Sequence, residues 1–197
     1  MDILACTIIG HKPTRFKFKY KENYSLCKKI KSAMTGQFQI LYAMGVRRFY
    51  ISGSLGVGMW AGELLLRLKE QKGYGELELW IILPCAGYDA KWDERSRKRM
   101  EFLKKHSTEY ITIGGAKDRD DFFRRNCYMV NQTQHMVAVY DGNLAVRSIT
   151  GQTVKYAMGR GVKIVFIHPD TANTLLSVSA GYFFNPFIMA FTFPKCS

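Results

Sequence analysis

Phe49-Tyr50-Ile51-Ser52-Gly53-Ser54-Leu55-Gly56-Val57-Gly58-Met59-Trp60 decides the fold. An apolar, β-rich run stops at three glycines, Gly53, Gly56 and Gly58, and from Met59 to Glu70 apolar residues recur at helical spacing. A strand, a glycine turn and a helix in direct succession form the first half of a nucleotide-binding βαβ unit. Glycine suits such a turn because a Cβ would hinder the approach of a phosphate or ribose to the backbone N–H groups. Those groups, at a helix N-terminus, are unpaired donors with partial positive charge. The spacing is neither GxGxxG nor a Walker pattern, so a tight turn without a ligand is the competing reading.

Outward from that turn, the chain alternates. Ile3–Ile9, Phe49–Ser52, Leu77–Leu83, Tyr110–Ile113, Met136–Tyr140 and Lys163–Ile167 read as strands. Between them, 23–44, 59–72, 93–106, 122–132 and 153–160 carry helical patterning. Leu79 to Leu83 is a continuous apolar run, which suits a parallel strand covered on both faces. The expectation is an α/β, Rossmann-like, doubly wound and mainly parallel sheet of six or seven strands, with helices on both faces. Residues 1–170 are expected to form this domain. Residues 171–197 lie outside the alternation and read as an apolar extension docked on it, as an extra strand or an oligomer contact.

With 197 residues, 47% apolar and 23% charged, the chain can bury a proper core. No opening segment has a signal peptide's layout, and the most apolar run, Tyr182 to Phe193, is too short to span a bilayer. A cytoplasmic protein without membrane contact is expected. The five cysteines are scattered without a CxxC pair, and the histidines form no HExxH, so neither a metal site nor a cofactor is expected. Free buried thiols are the expected state, with Cys85 beside Pro84 as a minor nucleophile candidate.

The net charge of +13 calls for an anionic partner or a tolerance of one. From Arg15 to Lys31, Lys17, Lys19, Lys21, Lys28, Lys29 and Lys31 interleave with Phe16, Phe18, Tyr20 and Tyr24. Such a run can grip a phosphodiester backbone weakly, or form a solvated edge with its aromatics packed inward.

Ligands of open parallel sheets bind beyond the carboxyl ends of the strands. Here those ends carry Gly10-His11, Ser52 to Gly58, Pro84-Cys85, Asp141-Gly142 and Gly151-Gln152-Thr153. Arg125, among Phe122, Phe123, Tyr128 and Met129, must approach the core if the aromatics do, and an inward arginine needs a carboxylate or phosphate. Trp92 can stack on a base or cap the core. Glu63 and Asp141 are the carboxylates available as weak catalytic candidates. The binding set is therefore Gly10, His11, Ser52, Gly53, Ser54, Gly56, Gly58, Trp92, Arg125, Asn126, Asp141, Gly151, Gln152 and Thr153.

These landmarks resemble the YpsA-like branch of the SLOG superfamily, which also holds Smf/DprA and the "lonely guy" enzymes. Gly10-His11-Lys12-Pro13 is similar to the family's GxRP start, and Ser52 to Trp60 to its SGGALGVDLWA turn, with Glu63 at the helical acid. Pro84 and Trp92 match its strand-end proline and following tryptophan. Arg125 to Val130 resembles RNxYMVD, and Val139-Tyr140-Asp141-Gly142 resembles VYDG. The chain departs from the pattern at Gly58 and Asn131, where the family has aspartates, and at Thr150-Gly151-Gln152-Thr153, where it has a GGT turn. Nothing reproduces the PGGxGTxxE motif of the phosphoribohydrolases, and Tyr156-Ala157 stand where its acid is sought. The resemblance implies a Rossmann-like fold that binds nucleotides or their derivatives, and carries over no defined reaction.

Three functions follow: a non-catalytic nucleotide-binding module or sensor, favoured because no coherent catalytic set exists; an N-glycosidic-bond hydrolase using Glu63 or Asp141; and a single-stranded nucleic-acid binder. A homo-oligomer is compatible with each.

Overall fold

The computed structural model describes residues 3–115, 119–143 and 147–176. Seven strands form one sheet: β1 (Ala5–Gly10), β2 (Arg48–Ile51), β3 (Glu78–Leu83), β4 (Glu109–Thr112), β5 (His135–Val139), β6 (Lys163–Ile167) and β7 (Thr174–Leu176). The order is β4-β3-β2-β1-β5-β6-β7. All neighbours are parallel except β6 and β7. The helices are α1 (Ser25–Ala43), α2 (Val57–Lys69), α3 (Glu94–His106), α4 (Arg119–Asn131) and α5 (Ile149–Gly159). The doubly wound, Rossmann-like α/β architecture expected from the alternation is the one observed.

Alternation along the central strands explains why helices cover both faces. Cys6 and Ile8 of β1 point into a core shared with Phe38 of α1, Trp60 of α2 and Met100 of α3. Ala5 and Ile9 point the other way, to Met129 of α4 and Val154 of α5. β5 divides in the same manner, Val137 and Val139 to one side and Met136 and Ala138 to the other. Uniform burial falls on β5 rather than β3. In β3, next to the edge strand β4, Glu78 and Trp80 are only half-buried, and the Arg48 guanidinium lies over the Trp80 ring.

The order in which strands are added reverses beside β1: β2, β3 and β4 extend from one side of it, and β5 starts the other. The switch point between β1 and β5 is where such sheets leave a crevice beyond the strand ends. β7 is an antiparallel strand within the stretch read as an extension, whereas Tyr182 to Phe193 lies outside the described residues. Among the described residues, no helix is long and apolar enough to cross a membrane.

Candidate functional site

The loops after β1, β2, β3 and β5 meet at the switch point together with the first turn of α5. His11 N donates to Val139 O, and the His11 ring stands edge-on to Tyr140, 5.5 Å between centroids. Thr150 Oγ1 donates to Gly10 O at 3.3 Å, which ties α5 to the end of β1. The two glycine turns therefore converge on one edge, as their positions in sequence predict.

Their glycines serve the protein's own packing. Gly56, the residue before α2, has φ +85°, a conformation that L side chains resist, and a Cβ there would lie 2.9 Å from the His11 carbonyl oxygen. At Gly58 a Cβ would meet Ser52 Oγ at 2.8 Å and Ser54 Oγ at 3.0 Å. Those two hydroxyls bond to each other at 2.7 Å in the space left by the missing side chain. The Cβ directions at Gly10, Gly53 and Gly151 are likewise filled, by Val57, Met100 and Tyr140. The N–H groups of Val57 and Gly58, in the first turn of α2, have no acceptor among the described residues.

Arg125 is the charge at the centre. It is 4% exposed, and α4 brings it inward because Met129 and Val130 on the same helix are buried against the sheet. Its Nε and Nη2 donate to Asn126 Oδ1 at 3.1 and 3.0 Å, and Nη1 lies 3.4 Å from Ser52 O. The guanidinium sits 5.6 Å from the Phe122 ring centroid, and the Tyr88 hydroxyl faces it. No carboxylate among the described residues lies within ion-pair distance of it, and burial lowers its pKa. Asn126 continues the network by donating from Nδ2 to Thr153 Oγ1 at 2.8 Å. A second cation, exposed Lys12, lies 5.5 Å from the same Phe122 ring.

His11 is 4% exposed; burial lowers its pKa while Asp141, with Oδ1 4.0 Å from Nε2, raises it in part. Asp141 Oδ1 also accepts from Asn143 N, so it closes a turn at the rim. Trp92 is half-buried and stands edge-on to Tyr88 at 5.1 Å, in a core-capping position. Gln152 falls outside the buried cluster and lines a groove between α4 and α5.

Glu63 has another task. Both its oxygens accept from Arg99, at 2.6 and 3.0 Å. Arg99 also donates to Glu22, which Lys31 meets at 2.6 Å. Burial raises the Glu22 pKa, but hydrogen bonds from Arg99 and Lys31 outweigh it and hold the group at about 2. A carboxylate held this way fastens α2 to α3 and is poorly placed to act as a base. Cys85 is fully buried. Tyr88, Phe122 and Lys12 were missed as site residues by the sequence reading. Tyr88 was findable from its place just after the end of β3.

Within Arg15–Lys31, Phe16 and Phe18 are buried and stack on each other, whereas Tyr20 and Tyr24 are exposed with Lys17, Lys19 and Lys21. The inward-packing half of that alternative is thus observed. Lys31 is held by Glu22, and Lys17 reaches Asp170 at 3.3 Å.

A single, mainly parallel sheet covered by helices on both faces, with glycine turns and a buried arginine at its switch point, defines a Rossmann-like protein. The sequence model of the YspA SLOG family, YpsA, matches residues 6–172, and the chain belongs to that family. It is 27% identical over 137 residues to a UPF0398 protein from Halalkalibacterium halodurans, covering 68% of this chain and 71% of that protein. A UPF0398 protein from Bacillus pumilus is 26% identical over 143 residues, covering 72% and 74%. Two solved structures share the fold. DNA processing protein A from Streptococcus pneumoniae has a TM-score of 0.56 at 12% identity, over 83% of this chain and 50% of that one. Its counterpart from Helicobacter pylori, described for its single-stranded DNA binding mode, has 0.54 at 15%, over 83% and 64%. This chain thus spans less than two-thirds of either DNA processing protein.

Proposed function

We propose that this protein binds a nucleotide or nucleotide-derived small molecule at the β1/β5 switch point, as a sensor or regulatory module. The observation that carries the reading is Arg125: a guanidinium 4% exposed whose hydrogen-bond acceptors are all neutral. A buried charge without a counterion is strongly unfavourable, and a phosphate arriving between the α2 N-terminus and Arg125 supplies one. The unpaired N–H groups of Val57 and Gly58 and the rim cation Lys12 favour the same ligand chemistry. A phosphate must displace part of the packing around Ser54 and Leu55, the half-buried residues of the turn.

Hydrolysis of an N-glycosidic bond finds less support, because Arg99 holds Glu63 and Asp141 lies in a rim turn. Nucleic acid is the wider class of the same chemistry, and the single-stranded DNA binding described for the Helicobacter pylori neighbour favours including it. On the Arg15–Lys31 face, weak and sequence-independent binding is the expectation, since half of its aromatics are buried.

A thermal-shift panel of mononucleotides, ADP-ribose derivatives and cyclic dinucleotides tests the proposal. A ligand at 100 times its Kd stabilises the fold by about 2.7 kcal/mol. Absence of any shift across the panel at millimolar concentration contradicts it.

A further inference from the structure

A trough of about 600 Å³ runs between α4 and α5. Phe123 of α4 and Tyr156 of α5 line it, both half-buried, with ring centroids 6.3 Å apart and planes at 77°. Three exposed cations, Arg147, Lys155 and Arg160, border it along α5 against one acid, Asp120. Among the described residues none of the three cations makes a salt bridge, unlike Lys31, Arg48 and Arg99 elsewhere. Thirteen positions separate Arg147 from Arg160, roughly 20 Å at the helical rise, so the charges form a track rather than a single pocket.

We infer that this trough is a docking track for single-stranded nucleic acid, separate from the switch-point cleft. Cations spaced along a groove follow a phosphodiester backbone, and aromatic rings among them stack on bases without regard to sequence. The rings are recessed in the trough, where unpaired bases can reach them and the bases of a duplex, stacked on one another, cannot. An acidic peptide would use the charges and leave the rings idle. The Tyr156 hydroxyl donates to Asn131 Oδ1 at 2.9 Å, which orients the ring.

The test is fluorescence anisotropy with a labelled oligo(dT) of about 12 nucleotides, within the usual site sizes for single-strand grooves. With three phosphate contacts, log affinity falls with log salt at a slope of about −2. The triple variant Arg147→Glu, Lys155→Glu, Arg160→Glu weakens binding more than tenfold. Tyr156→Ala weakens it severalfold or more, while Tyr156→Phe, which keeps the ring, binds as the parent does. Lys17→Glu, Lys19→Glu, Lys21→Glu changes the charge equally on the opposite region and leaves most of the affinity. The groove triple keeps the parent's thermal shift with mononucleotides, so failure of the nucleotide reading leaves this one standing, and the reverse. The inference is overturned if the groove triple binds as the parent does, if the Lys17-Lys19-Lys21 triple weakens binding as much, or if duplex or an oligo-glutamate peptide binds equally well.

Discussion

The side-chain oxygen of Asn126 accepts two hydrogen bonds from its neighbour Arg125, 3.1 Å from Nε and 3.0 Å from Nη2. An amide in that position holds the guanidinium still and leaves its charge whole. Its own Nδ2 is anchored on Thr153 Oγ1, so α4 and α5 together aim the arginine at the end of β2. Asn126→Asp places a carboxylate there instead. The apo protein should change in stability by no more than about 1 kcal/mol, because the stronger charged acceptor for Arg125 is offset by loss of the Nδ2 donor to Thr153, and nucleotide binding should be lost to the internal counterion. Asn126→Ala should lower stability by about 1–3 kcal/mol, since it strands buried polar groups. Urea unfolding of both variants, with and without nucleotide, checks the pair. Equal effects on binding would show that charge is not the controlling quantity.

Gly56→Ala should destabilise the fold by about 1–3 kcal/mol with no ligand present. The residue is held at φ +85°, and a methyl group would press on the His11 carbonyl 2.9 Å away. A shifted urea midpoint at unchanged m-value is the expected result; an unshifted midpoint would mean that the turn relaxes freely. Valine substitutions in this turn consequently report on folding before they report on a ligand.

Much of this was legible because strands and helices follow from local periodicity. Lys163–Ile167 was read to the residue, and the buried face of α1, with Ile30, Met34, Phe38 and Leu41, follows the helical repeat. The inward direction of Arg125 was readable from the aromatics beside it. Its lack of a counterion was not, because that depends on which loops surround it. The same limit applies to Glu63: nothing local announces that Arg99, 36 positions later, will take both its oxygens. What the glycines make room for was not legible for a related reason, since what fills the place of a missing Cβ is a tertiary fact. At Gly58 that fact is the Ser52–Ser54 hydroxyl pair.

The network of Glu22, Arg99, Glu63 and Lys31 should set the acid limit of stability. The Glu22 pKa falls from 4.5 to about 2 on folding, so the unfolded chain takes up the proton first as pH drops. Its contribution is complete above pH 4.5 and is lost progressively towards pH 2. With the side chain 31% exposed, solvent screening leaves it at about 1–2 kcal/mol. Glu22→Gln should lower stability at pH 7 and flatten the decline below pH 4.5, as followed by urea unfolding across that window. A variant that keeps the parent's acid profile would remove Glu22 from the account.

Thermal unfolding of Arg125→Ala beside the parent, each with and without the nucleotide that shifts the parent most, tests the central claim most directly. At 100 times Kd the parent should gain about 2.7 kcal/mol, or roughly 5–10 °C for a chain of this size. Losing a charge-assisted contact of about 1.5–3 kcal/mol should weaken binding at least tenfold and remove about half of that gain or more, while the apo variant still unfolds cooperatively. A folded Arg125→Ala protein stabilised by the nucleotide as much as its parent would contradict the account, and Arg125 would then be an internal strut.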